Sequence, residues 1–258
     1  MRLMKRILSA AAVLALSAPL LVGCSSGTAS SVPVSASSAA ESTVSSVEET
    51  ASSAVDENEA AAAQLLNDLT GSYQELWPVI LADEYKQTWL DDCTALVGED
   101  NAEAAFEKLS SMVTGDVYGE DAVKAYANGG GAYFCGFTNS LAILTFDGET
   151  STISGTDKDG NVLFSHTYHY IGMEPVRGLY EFESDDADSG EFTYFFLAPD
   201  TSAETYHIEF RYGSDAEALS QYDAGKYAYW LASGISTDCD QTMIDNCIEL
   251  FCTENLAG

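Results

Sequence analysis

The stretch Leu197 to Asp215, LAPDTSAETYHIEFRYGSD, holds one of only three histidines in the chain inside an alternating segment that runs into a turn. Side chains alternate faces on an extended strand, so Thr205, His207 and Glu209 share one face while Tyr206, Ile208 and Phe210 share the other. The polar face is expected to look into a closed barrel. There an imidazole and a carboxylate two residues apart would form half of a metal site or of a polar ligand pocket.

Upstream of this stretch, from Tyr133 onward, the chain reads as a meander of short strand-like runs: YFCGF, SLAILTF, TSTISGT, NVLFSHTYHYI, GLYEFES and EFTYFFLA, with ETYHIEFRY as the seventh. The turns between them carry the expected chemistry, with Asp147 to Glu149 in one and the strong hairpin signal KDGN at Lys158 to Asn161 in another. Asp157, Asp159 and Asn161 superficially resemble a calcium loop, but the rest of the twelve-residue ligand pattern is missing. The acidic run Glu183 to Glu191 reads as a solvated hairpin tip rather than an ion site.

Helices flank the meander. Asn58 to Leu69 is rich in Ala and Leu, and Gly71 and Pro78 mark a turn followed by a helix start near Tyr73. Residues 102 to 113 carry a stripe through Ala105, Phe106, Leu109 and Met112 or Val113, with Asn101 as the expected N-cap. A short helix over Asp121 to Ala127 ends at Gly129 to Gly131. Ser236 to Asp238 is expected to cap a last helix whose apolar stripe is Met243, Ile244, Cys247, Ile248 and Phe251. The pattern is mainly β with flanking helices, and it predicts a closed antiparallel barrel.

Three separated segments resemble the ZinT family of zinc-binding domains. Ala198 and Pro199 match the family's turn, His207 matches the second histidine of its H-x-H pair, and Gly213, Ser214 and Asp215 match the segment after it. Leu66, Asp68, Gly71, Gln74, Trp77 and Pro78 fit the family's opening pattern, and Val176, Arg177, Leu179 and Glu181 fit a third. The resemblance spans roughly residues 60 to 255 in order. It implies a calycin-type, lipocalin-like barrel overlaid by helices and a role in binding zinc. The family's ligands are usually three histidines. Here Phe195 stands in the place of the first and Thr205 in the place of the second, counting Glu204 as one extra loop residue, so that only His207 is kept.

The chain opens with Arg2, Lys5 and Arg6, an apolar run from Ile7 to Val22, and then Gly23 and Cys24. This order reads as a lipoprotein signal over residues 1–23, with Cys24 the expected lipidated N-terminus on the extracytoplasmic face of a cell membrane. Residues 24–57 are dominated by Ser, Ala, Val, Thr and Glu without an aromatic residue, the composition of a solvated tether. Residues 58–258 remain as one domain large enough for a substantial core. No later segment is apolar enough to span, so the membrane is met only through the anchor.

With 41 acidic against 10 basic residues, the formal charge is −31. Nucleic acid is excluded as a partner, because phosphate contacts need clustered Lys and Arg. Five cysteines follow Cys24, an odd number, without a C-x-x-C. Cys247 and Cys252, about 500° apart around a helix, do not face each other. Pairing of Cys93 or Cys135 with the last helix stays open.

His166 and His169 are three apart, which puts them on opposite faces of a regular strand. Their first reading is as two partly exposed or satisfied strand histidines among Tyr168 and Tyr170; if one of them meets His207 across the barrel, the two histidines and Glu209 would make a weak zinc site. Nucleophile motifs such as G-x-S-x-G are absent, and the residues favour a binding protein over an enzyme. Two expectations follow. One is capture of a divalent metal, zinc above all, for delivery to an uptake transporter. The other is a metal-independent barrel for a small ligand or a protein partner, in which His207 lies alone beside Phe195 among aromatic residues.

Overall fold

The computed structural model describes residues 57–199 and 207–256. Eight antiparallel strands close into a barrel in simple meander order: β1 (Gly71–Glu75), β2 (Ile143–Asp147), β3 (Thr152–Thr156), β4 (Val162–Met173), β5 (Tyr180–Ser184), β6 (Tyr194–Leu197), β7 (His207–Gly213) and β8 (Ala232–Ser236). The closed antiparallel barrel expected from the strand pattern is therefore present, and it is consistent with the calycin-like architecture that the resemblance implied. Pairing of β1 with β8, Tyr73 opposite Ser236 and Glu75 opposite Gly234, closes the ring and leaves no free edge.

The helices differ from the sequence reading at several points. Residues 57–68 are helical (α1), as expected. Gly71–Glu75 is a strand, where a turn and a helix start near Tyr73 were expected, and the helix begins at α2 (Leu76–Ile80). Next come α3 (Lys86–Val97), which the sequence reading left unassigned, and α4 (Glu99–Val113), which starts ahead of Asn101. Asn101 is thus inside α4 rather than its cap, and its amide donates back to the Val97 carbonyl at 3.0 Å. The order continues with α5 (Glu120–Ala127), a single turn α6 (Ala216–Leu219) and the closing α7 (Gln241–Leu256). Tyr133 to Phe137 supplies only isolated bridges at Phe134 rather than a strand. Among the described residues no helix is long and apolar enough to cross a membrane.

Two apolar cores result. The first fills the barrel with Phe146, Phe164, Tyr168, Phe182, Phe195, Phe210, Tyr212 and Trp230, and Leu65 and Leu66 of α1 join it with Leu69 just after the helix. The second lies outside the barrel wall, where Trp77, Ile80, Trp89, Cys93, Leu109, Ile244 and Ile248 from α2, α3, α4 and α7 pack over Ile235 of β8. Strand β8 is therefore covered on both sides, and its residues from Ala232 to Ile235 are all buried. Trp89 ties the helical layer together by donating its indole N–H to the Ile80 carbonyl at 2.7 Å.

Candidate functional site

Alternation on β7 works as expected, but the faces are exchanged. Ile208, Phe210 and Tyr212 belong to the barrel core, so His207, Glu209 and Arg211 point outward. The barrel interior is aromatic instead of polar. Rings dominate here because Phe195 stacks against Tyr212 and Phe210 and meets Tyr168 edge-on, which fills the space a polar pocket would need. Phe195 therefore sits inside the wall and His207 outside it, and the expected neighbourhood of the two does not exist.

On its outward face His207 lies opposite Ile235, and Glu209 opposite Ser233. The helical layer covers this face and leaves a hollow of about 30 Å³ lined by Leu76, Trp77, Ile80, His207, Glu209, Cys247, Leu250, Phe251 and Glu254. Strand β7 thus supplies an imidazole and a carboxylate, while α7 supplies a thiol and a second carboxylate. The α7 residues arrive by helical spacing: Cys247, Leu250, Phe251 and Glu254 fall at i, i+3, i+4 and i+7 and so share one face. Sequence reasoning missed Cys247 and Glu254 as site residues; the stripe through Cys247 and strand β7 were each legible, but that the outer face of β7 meets this helix was not.

Cys135 approaches the same region from the far side of Trp77. Its backbone carbonyl accepts from Ser233 N–H at 3.0 Å. Burial, and then the nearby Glu209 charge, push the Cys135 thiol up to about 12, so it stays protonated. The Trp77 indole N–H is buried with no oxygen or nitrogen acceptor among the described residues, and the Cys135 sulfur is its neighbour. Beyond Trp77 opens a cleft of about 310 Å³, lined by Glu75, Trp77, Pro78, Leu81, Val113, Phe134 and Cys135 among others. The Glu75 carboxylate at its rim accepts from Phe137 N–H at 2.6 Å.

The other two histidines are elsewhere. His166 and His169 lie on opposite faces of β4, as their spacing requires, and each is held by one of two consecutive aspartates in the β5–β6 turn. Asp186 bonds His166 Nδ1 at 2.7 Å, and Asp185 bonds His169 Nδ1 at 2.7 Å. His166 also stacks on Phe164 at 5.9 Å, whereas His169 is half-exposed. Meeting His207 across the barrel is ruled out by the aromatic interior and by the outward aim of His207. Among the described residues no three His, Cys, Asp or Glu side chains come together closely enough to hold a metal ion. The Asp157 carboxylate is likewise committed to its own turn, accepting from the backbone of Asp159 and Asn161 and from the Asn161 amide, each at 2.9 Å.

No family model and no curated protein sequence matches the chain. Among solved structures, it is similar to the Zn(II)-bound ZinT-like domain of Streptococcus pneumoniae AdcA, at 16% identity and a TM-score of 0.45, over 71% of this chain and 89% of that one. It is also similar to Zn(II)-bound AdcA from the same organism, at 14% identity and a TM-score of 0.43, over 72% of this chain and 35% of that chain.

Proposed function

We propose that this chain is a lipid-anchored extracytoplasmic binding protein that captures a divalent metal ion, zinc above all, as cargo for an uptake transporter. The observation that carries the reading is the aim of His207 and Glu209 from one face of β7 into a hollow whose opposite wall presents Cys247 and Glu254. A mixed nitrogen, sulfur and carboxylate donor set suits zinc better than calcium, which prefers oxygen alone. A space of about 30 Å³ exceeds the roughly 10–15 Å³ that one water needs, so the hollow has room for a single ion. Three donors do not converge there among the described residues, so the reading rests on the donor types that share the hollow. The ordered motifs shared with ZinT domains support the same reading. Cys24, the proposed lipid attachment point, lies outside the described residues; loss of membrane association in Cys24→Ala tests that part separately.

Calorimetry on the soluble chain lacking residues 1–24, with zinc and calcium titrated in parallel, tests the site. The expected result is one zinc bound per chain, with affinity reduced at least tenfold in His207→Ala and no matching calcium signal. Weak binding shared with calcium and indifferent to His207 overturns it.

The cleft beside Trp77 favours a second reading, a metal-independent site for a small apolar ligand. Its volume of about 310 Å³ falls at the lower end of the range for such sites. Quenching of tryptophan fluorescence by an apolar probe, lost on widening Val113 to Trp, would support that reading in place of the first.

A further inference from the structure

The five cysteines downstream of Cys24 are all present as free thiols, and two of them face each other across a helix seam. Cys93 on α3 and Cys252 on α7 bring their sulfurs to 3.9 Å, and neither residue has any solvent exposure. A disulfide needs sulfurs about 2.05 Å apart, so roughly 1 Å of movement by each side chain closes the gap while the helices stay in place. We propose that Cys93 and Cys252 are joined by a disulfide in the oxidised protein, and that this bond fastens α7 to the helical layer. The sequence left the partner of the last helix open between Cys93 and Cys135. The structure answers it: Cys135 turns its sulfur to the Trp77 side, and its weak contact is with the Tyr133 carbonyl at 3.9 Å.

The position of the pair gives the bond a consequence. The two residues are 159 apart, so the link would span α4, α5 and all the strands from β2 to β8. It would also anchor the helix whose other face supplies Cys247, Leu250, Phe251 and Glu254 to the hollow next to β7. Cys252 follows Cys247 by five residues, about 500° around the axis, so one helix presents Cys252 to α3 and Cys247 to the hollow without conflict.

The oxidant is a small-molecule disulfide such as oxidised glutathione, or a protein thiol–disulfide oxidoreductase. One cysteine thiolate attacks that disulfide, forming a mixed disulfide and releasing one thiol. The second cysteine thiolate then displaces the other thiol and forms the Cys93–Cys252 bond. Overall, two thiols lose two protons and two electrons, and the reagent leaves as two thiols. Burial pushes both thiols up, as does the neighbouring Asp92 charge, so the step is slow in the closed fold and fast while α7 is still undocked.

The test is to refold the full chain with oxidised glutathione, block remaining thiols with one alkylating reagent, then reduce and block with an isotopically heavy one. Peptide mapping should find Cys93 and Cys252 carrying the heavy label in equal amounts, and a linked Cys93–Cys252 peptide before reduction. Adding reductant should lower the melting temperature by about 10 °C, the scale set by closing so long a loop in a domain of this size. A Cys93→Ala chain should melt at the same temperature with or without reductant. Light label on both residues, or a heavy label shared with Cys135 or Cys239 in their place, overturns the proposal, and neither readout depends on a variant folding.

Discussion

Arg211 is fully buried with its guanidinium carbon 4.4 Å from the centre of the Tyr222 ring, and no carboxylate lies within 4 Å of it among the described residues. It points outward from β7, and α6 and the segment after it cover it. The guanidinium donates instead to the carbonyls of Leu219, Gln221 and Tyr227, so it fastens an irregular segment onto the barrel wall. Burial pushes its pKa down, though an arginine stays charged throughout the accessible range. Replacing Arg211 by Met keeps the packing volume but leaves three carbonyls without their donor. We expect a loss of about 2–4 kcal/mol in urea unfolding, since buried acceptors lose their partners and water does not replace them. A loss well under 1 kcal/mol would mean the segment is held by its rings alone.

Gly148 in the β2–β3 turn is needed for space, not for its backbone angle. A methyl group there would come within 2.4 Å of the Asn67 Cα and 2.6 Å of the Leu66 carbonyl oxygen, both backbone atoms of α1. The Gly148 N–H also donates to the Thr70 hydroxyl at 3.0 Å, which pins the turn to the end of that helix. Gly148→Ala should destabilise the domain by about 1–3 kcal/mol through forced separation of α1 from the barrel. The check is denaturant unfolding of the variant beside Gly160→Ala, where nothing lies within 4 Å and the cost comes only from the positive φ of 81°.

Six of the eight strands were legible because each has alternation bounded by turn residues. The two that were not, β1 and β8, are the pair that closes the barrel. Strand β8, ASGIS, is built of small residues and buried on both faces, so it shows neither the alternation of a half-exposed strand nor a strong β-branched run. Strand β1 begins at Gly71 and ends three residues before Pro78, and those punctuation residues outweighed the strand signal of the residues between them. The placement of His207 and Glu209 inside the barrel was misjudged for a related reason. Alternation partitions β7 into two faces but does not say which one is inside. With helices over the outer face, polarity was a poor guide, and His207 and Glu209 are partly buried outside the wall rather than inside it.

The separation of the histidines gives a prediction that distinguishes the β7 site from one shared around the barrel. His166 and His169 are each bound to an aspartate at 2.7 Å and lie on β4, with the aromatic core between them and the outward face of β7. The double variant His166→Ala, His169→Ala should keep zinc affinity within about twofold of the parent. His207→Ala alone should reduce it by at least tenfold, because losing one of so few donors removes a first-row metal's anchoring nitrogen. A loss in the double variant equal to that in His207→Ala would place the metal on β4 instead.

The seam between α3 and α7 predicts the direction of the pH response. Asp92 on α3 is pushed above the ordinary carboxylate range, first by burial and then by Glu249 and Asp245 on α7 and by its neighbour Asp91. A raised folded-state pKa means the folded chain binds the proton more tightly than the unfolded chain. Its stabilising contribution is therefore complete below the unfolded value and is lost as pH rises through the folded one. Burial, and then Glu174, act in the same direction on Glu181 of β5. Asp157 runs the other way: its turn hydrogen bonds lower its pKa, and their contribution is lost on acidification below the ordinary carboxylate range. The melting temperature should therefore rise as pH falls from 7 toward the ordinary carboxylate range, where Asp92 and Glu181 take up their protons and the self-repulsion of a chain with formal charge −31 eases, and the contribution of Asp157 should be lost only below that range. Asp92→Asn should melt a few °C higher than the parent at pH 7, with the difference closing as the pH approaches the unfolded carboxylate value. A gain that stays constant from pH 7 to pH 4 would show that Asp92 carries no charge-dependent penalty, and that α3 and α7 do not repel each other across the seam.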